Sequence, residues 1–178
     1  MEITSYRQTT CESCLPACLL MVNQFKTGNQ FGKEDETKLM FQGLLEHERD
    51  YTVGMLLAAK KLYGMNFKFW IRGPKNKAYF RNELPEDIEV VEANVSTVLI
   101  DKLLKNKKPL IILTDGFYFG IEGHWTHYVV VSKDLGKNYE VYNPWTGEKE
   151  VTPKTLVSKA LSQAWNKLLF ATMVIEVI

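Results

Sequence analysis

The spacing of apolar residues along the chain changes character several times, and each change predicts an element. From Cys14 onward, Leu15, Ala17, Cys18, Leu19, Leu20, Met21 and Val22 form a helix-like apolar run. Ser13 stands where an N-cap belongs, and Pro16 falls in the first turn, where its missing N–H costs nothing. Residues 26–33, with Gly28, Asn29 and Gly32, read as a loop. Residues 34–46 are helix-like, with Leu39, Met40, Gly43 and Leu44 spaced for one face. Thr52 is expected to cap a helix over residues 53–63, which Gly64 ends.

A period of two follows. Phe67, Phe69 and Ile71 alternate within residues 66–71, as in a half-buried strand. Residues 72–85 are polar, with turn signals at Gly73-Pro74 and Leu84-Pro85. A short strand is expected at residues 88–91, and Ser96 opens a helix over residues 97–105 closed by Asn106 and lysines. The continuous apolar run of residues 109–113 fits a buried central strand. Residues 115–125 mix Gly116, Gly120 and Gly123 with Phe117, Tyr118 and Phe119, a pattern suited to a loop over a cleft.

Residues 127–132 and 138–142 pair as a hairpin through Gly136, and residues 143–147 turn into a further strand at 149–151. Thr152 and Pro153 are expected to open a last helix to Lys167, before a strand over residues 171–177. The order is helices first, then a mostly antiparallel sheet with one late helix. It predicts an α+β fold, N-terminal helices on a sheet, in a single domain covering residues 1–178.

The 178 residues suffice for one domain with a real core, and 46% hydrophobic and 24% charged residues are ordinary for a globular protein. A net charge of +1 gives no bulk field for nucleic acid. No apolar run reaches the roughly 18 residues of a membrane span, and the N-terminal residues lack a signal-peptide pattern. Three cysteines, Cys11, Cys14 and Cys18, make a poor disulfide framework and fit a reducing, cytoplasmic setting.

Chemistry concentrates at Cys14. A thiol at a helix N-terminus faces unpaired backbone N–H groups and the positive end of the dipole, which favour thiolate. Cys11-x-x-Cys14 with His124-x-x-His127 could in principle ligate zinc, but the pairs lie far apart in sequence at an unusual spacing. A redox pair at Cys11 and Cys14 lacks the strand that should precede it. No metal or cofactor is therefore expected.

A nucleophilic cysteine needs a base, an orienter behind the base, and oxyanion donors. His127 starts a strand, and Asn143 ends the next, where hairpin pairing can set them side by side. Gln8 carries an amide N–H that can donate beside the Cys14 backbone N–H. His124 is a second candidate base. Trp125, Trp145, Phe117 and His124 are candidate walls of a substrate groove.

In chain order Gln8, Cys14, His127 and Asn143 follow the arrangement of papain-like proteases. Gln8, then Cys14-Leu-Pro-Ala-Cys-Leu-Leu-Met, resembles the signature of papain-like peptidases related to the bacteriocin-processing, double-glycine leader peptidases. His127-Tyr-Val-Val-Val and Val141-Tyr-Asn-Pro resemble that family's histidine strand and its Val-x-Asp-Pro turn. The resemblance implies Cys14 as nucleophile, His127 as base and acid, Asn143 as orienter and Gln8 as oxyanion donor. It further implies hydrolysis of a peptide or isopeptide bond, with cleavage after small residues such as Gly. The chain departs from the family pattern at Leu15, where the family has Gly, and at Asn143, where it has Asp. Leu15 favours the alternative, an inactive papain-like domain that binds a peptide or partner protein.

Overall fold

The computed structural model describes residues 2–166 and 172–178. Three helices come first, α1 (Cys14–Thr27), α2 (Lys33–Glu46) and α3 (Tyr51–Tyr63). Then follow β1 (Phe67–Ile71), α4 (Pro74–Glu83), β2 (Glu89–Glu92), α5 (Thr97–Leu104) and β3 (Leu110–Asp115). The chain ends with β4 (Thr126–Asp134), β5 (Asn138–Asn143), β6 (Glu148–Pro153), α6 (Lys154–Asn166) and β7 (Met173–Val177). The seven strands form one sheet in the order β2-β1-β7-β3-β4-β5-β6, antiparallel except for the parallel β1–β2 pair.

Alternation along the central strands divides the core in two. Ile111, Leu113, Tyr128 and Val130 face α1 to α4, whereas Leu110, Ile112, Val129 and Val131 face α5 and α6. β3 is buried along its whole length, as its unbroken apolar run predicts. β1 buries Phe67, Phe69 and Ile71 and leaves Lys68 and Trp70 partly exposed, the expected period of two.

Several expectations are corrected. The polar stretch 72–85 is not a pair of turns: it holds α4, with Pro74 at the start of the helix rather than inside a bend. Parallel strands need a crossover, and α4 supplies it between β1 and β2. Only Phe80 of that helix is buried, so no apolar stripe announced it. Asp50, not Thr52, caps α3, accepting from the Val53 N–H at 2.9 Å; Thr52 lies inside the helix and meets the Tyr128 hydroxyl at 2.7 Å. Thr152 and Pro153 still belong to β6, paired with Tyr139 and Asn138, and α6 starts at Lys154. Proline is tolerated there because β6 is an edge strand.

Leu44 is exposed rather than inward, because α2 approaches α3 through Gly43 and Gly54. A Cβ on Gly54 would come within 2.4 Å of the Gly43 carbonyl oxygen. The expected end of α6 at Lys167 and the start of the last strand at Ala171 lie outside the described residues. Among the described residues no helix is long and apolar enough to cross a membrane.

Candidate active site

α1 begins at Cys14 and buries Leu15, Ala17, Cys18, Leu19 and Leu20 against the sheet, so its N-terminus is pressed onto β4. Ser13 occupies the N-cap position, but its hydroxyl does not cap. It donates to the Thr10 carbonyl and accepts from the Thr10 N–H, each at 3.1 Å, tightening the turn that carries Cys11 and Glu12. The Cys14 side chain is 7% exposed. Burial pushes its thiol up, opposed by backbone N–H groups of Tyr128, Leu15 and Cys14 itself. The Tyr51 hydroxyl closes over the same helix start by donating to the Glu12 carbonyl.

His127 and Asn143 meet as the hairpin predicts. One step beyond the Val130–Tyr142 pair, Asn143 comes opposite Val129, which makes His127 its diagonal neighbour on the same face. The imidazole Nε2 lies 3.0 Å from Asn143 Oδ1, in a fully buried pair. Asn143 Nδ2 donates to the Phe119 carbonyl at 3.0 Å and to Glu150 Oε1 at 3.1 Å, while Oδ1 also accepts from the Trp145 N–H at 3.0 Å. With the amide oxygen facing His127, Nε2 must carry the proton and Nδ1 is the basic nitrogen. Burial pushes the imidazole down to about 4, against the upward pull of Asn143.

The thiol is brought to the β4 backbone beside His127 without being bonded to the imidazole. Tyr128, whose N–H faces the sulfur, is the residue next to His127 on β4. His127 shares its sheet face with Val129 and Val131, whereas Cys14 packs with Tyr128 and Val130. Among the described residues no hydrogen bond joins Cys14 to His127.

Gln8 is held close to the Asn143 turn. Its N–H donates to the Pro144 carbonyl at 2.8 Å, and Gly147, with φ of 75°, lets the turn lie on residue 7. A Cβ on Gly147 would stand 2.6 Å from Arg7 Cβ. The Gln8 side chain, however, turns its Nε2 to the Thr10 carbonyl at 2.6 Å, and Oε1 is buried with no partner among the described residues. Of the two amide hydrogens, one is thus committed and one is free for a further acceptor.

The expected wall residues are at the surface. Phe117 and Trp125 are exposed, and Trp145 is at the margin. The His124 ring stacks on Phe117 at 4.8 Å between centroids, and its Nδ1 lies 2.6 Å from the buried Asp115 carboxylate. That contact ties His124 to the loop and away from the His127–Asn143 pair. Leu15 is fully buried in the core and does not line an opening. Cys11 is an exposed free thiol and Cys18 a buried one. Among the described residues no three metal-binding side chains converge.

Three residues of this region carried no recognisable signal in the sequence. Glu36 reads as a solvated residue of a first helical turn. It is instead fully buried, accepting from the Tyr6 hydroxyl at 2.5 Å and from Thr9 N–H and hydroxyl at 2.9 and 3.0 Å. Asp115 ends an apolar strand, and Glu150 is one of several acidic residues on an edge. Only the 143–148 hairpin register, which sets Glu150 diagonal to Asn143, could have picked it out.

No family model and no curated protein sequence matches the chain. Among solved structures, it is similar to the crystal structure of a "putative C39-like peptidase" from Bacillus anthracis. The TM-score is 0.61 at 12% identity, over 99% of this chain and 94% of that one. At that identity the likeness is one of fold. The chain has the α+β, helices-on-sheet architecture of that C39-like peptidase along nearly its whole length.

Proposed function

We propose that the chain is a single-domain, papain-like cysteine peptidase in which Cys14, His127 and Asn143 act as a triad. The observation that supports it most is the buried His127–Asn143 pair at the sheet end where the N-terminus of α1 delivers Cys14 beside the neighbouring residue Tyr128. For catalysis the sulfur leaves the Tyr128 N–H for His127 Nδ1 and gives up its proton there. The thiolate attacks the peptide carbonyl carbon, and the oxyanion takes the Cys14 N–H and the free Gln8 amide hydrogen. The imidazolium, held by Asn143 through Nε2–H, returns its proton to the leaving amine as the C–N bond breaks. Water, deprotonated by His127, then cleaves the acyl-thioester, and the thiol regains a proton.

The substrate on this reading is a peptide or protein whose chain passes over Phe117, His124, Trp125 and Trp145. A preference for Gly at the cleavage point follows from the resemblance in sequence. Asn143 orients the ring without adding a full charge, as the papain-like arrangement permits.

A second reading has a specific observation behind it. The buried thiol, the missing thiol–imidazole bond and the inward Gln8 amide suit a silent papain-like domain that holds a peptide. Iodoacetamide labelling against pH, with mass-spectrometric mapping of Cys11, Cys14 and Cys18, separates the two. For the enzyme, Cys14 reacts well below the free-thiol pKa of about 8.5 and loses that reactivity in His127→Ala. Cys14 behaving as an ordinary or inert thiol in both proteins would sink the peptidase and leave the binding domain.

A further inference from the structure

The third triad position is an amide, and an amide can face the imidazole in two ways. With Oδ1 toward His127, Nε2 bears the proton and Nδ1 is free to accept one. With Nδ2 toward His127 the tautomer inverts, and the nitrogen needed by a thiol is the protonated one. Something must hold the amide in the first orientation. The Phe119 carbonyl takes one Nδ2 hydrogen at 3.0 Å, which leaves the other without a partner inside a buried site. Glu150 Oε1 takes it at 3.1 Å, and the same oxygen accepts from the Thr146 hydroxyl at 3.0 Å. Glu150 is on β6, only half-buried, and among the described residues it makes no ion pair. In the flipped amide, Oδ1 would confront a carbonyl and a carboxylate, while Nδ2 would confront the Trp145 N–H. Both contacts are repulsive.

We infer that Glu150 is a positioning residue: through Asn143 it sets the tautomer of His127, making Nδ1 the basic nitrogen. Its side chain bonds Asn143 and Thr146, and its value to catalysis rests on the peptidase reading. The hydrogen bond is charge-assisted, and such bonds are about twice as strong as neutral ones. The role needs an acceptor at this place more than a negative charge, so glutamine substitutes for it.

The test reads the imidazole directly. In ¹⁵N-labelled protein at neutral pH, long-range ¹H–¹⁵N spectra distinguish protonated from bare ring nitrogens. Wild type is expected to show His127 as the Nε2–H tautomer. Glu150→Ala moves both ring nitrogens toward an averaged mixture, and Glu150→Gln restores the wild-type pattern. Unchanged ring nitrogens in Glu150→Ala would overturn the inference, and so would a Glu150→Gln spectrum shifted as far as the alanine variant. Both variants are at an edge-strand position and are checked for folding by backbone amide spectra. Cys14 alkylation is measured alongside, with a fall of about tenfold expected for Glu150→Ala, the size of one charged hydrogen bond. If wild-type Cys14 is inert while the tautomer still responds to Glu150, the peptidase reading fails and the positioning role stands.

Discussion

His127 offers the sharpest quantitative consequence of this geometry. An imidazole in an unfolded chain titrates near 6.5, and the folded site pushes it down to about 4 because burial disfavours the cation. Between those values the unfolded chain takes up a proton that the folded chain refuses. Stability from this group is therefore fully present above about pH 6.5, is lost as pH falls toward 4, and changes no further below that. One pKa unit corresponds to about 1.4 kcal/mol, so the loss across the window is ~3 kcal/mol. This is a large part of a typical 5–15 kcal/mol total.

The perturbation is His127→Gln, which removes the titrating group. Urea unfolding of both proteins is followed from about pH 7 to about pH 4. Carboxylates titrate in both proteins and cancel in the comparison. Wild type is expected to lose ~3 kcal/mol more than the variant across the window. Parallel pH profiles, with a constant gap between the two proteins, would show that His127 is not held neutral, and the buried-pair geometry would be refuted with it.

Other substitutions probe the supports of the site. Leu15→Gly removes a fully buried core side chain from the first turn of α1. It should cost about 3–5 kcal/mol in urea unfolding without raising Cys14 alkylation; faster alkylation at little cost in stability would place Leu15 at an opening after all. Gly147→Ala forces a side chain into a positive-φ position against Arg7. A loss of about 1–3 kcal/mol is expected, with shifted Gln8 amide signals, and silence at Gln8 would break the proposed link between the turn and residue 8. Glu36→Ala strips the acceptors from Tyr6 and Thr9. Hydrogen exchange at residues 6–9 should accelerate while α6 is unaffected, at a cost of about 2–3 kcal/mol.

Local signals determined much of this protein from the sequence alone. The alternation of Phe67, Phe69 and Ile71 defines β1, and the unbroken run around residues 109–113 defines the central strand, because burial on one or two faces writes itself into residue order. His127 and Asn143 were legible as a pair because a hairpin turns short sequence separation into spatial contact. Cys14 was legible because a helix start next to an apolar run has a recognisable pattern.

Tertiary structure decided what those patterns leave open. α4 forms in a stretch that reads as turns, since the β1–β2 crossover runs through it, with Phe80 as its buried residue and Glu83 paired with His47. Leu15 goes inward, away from any opening, because the rotation of α1 about its axis is set by packing against the sheet. The Gln8 amide turns to Thr10, the Cys14 sulfur meets the Tyr128 N–H, and Glu150 reaches Asn143. These are choices among rotamers of nearly equal intrinsic energy, and only neighbours brought from distant parts of the chain, or across a register, can select one.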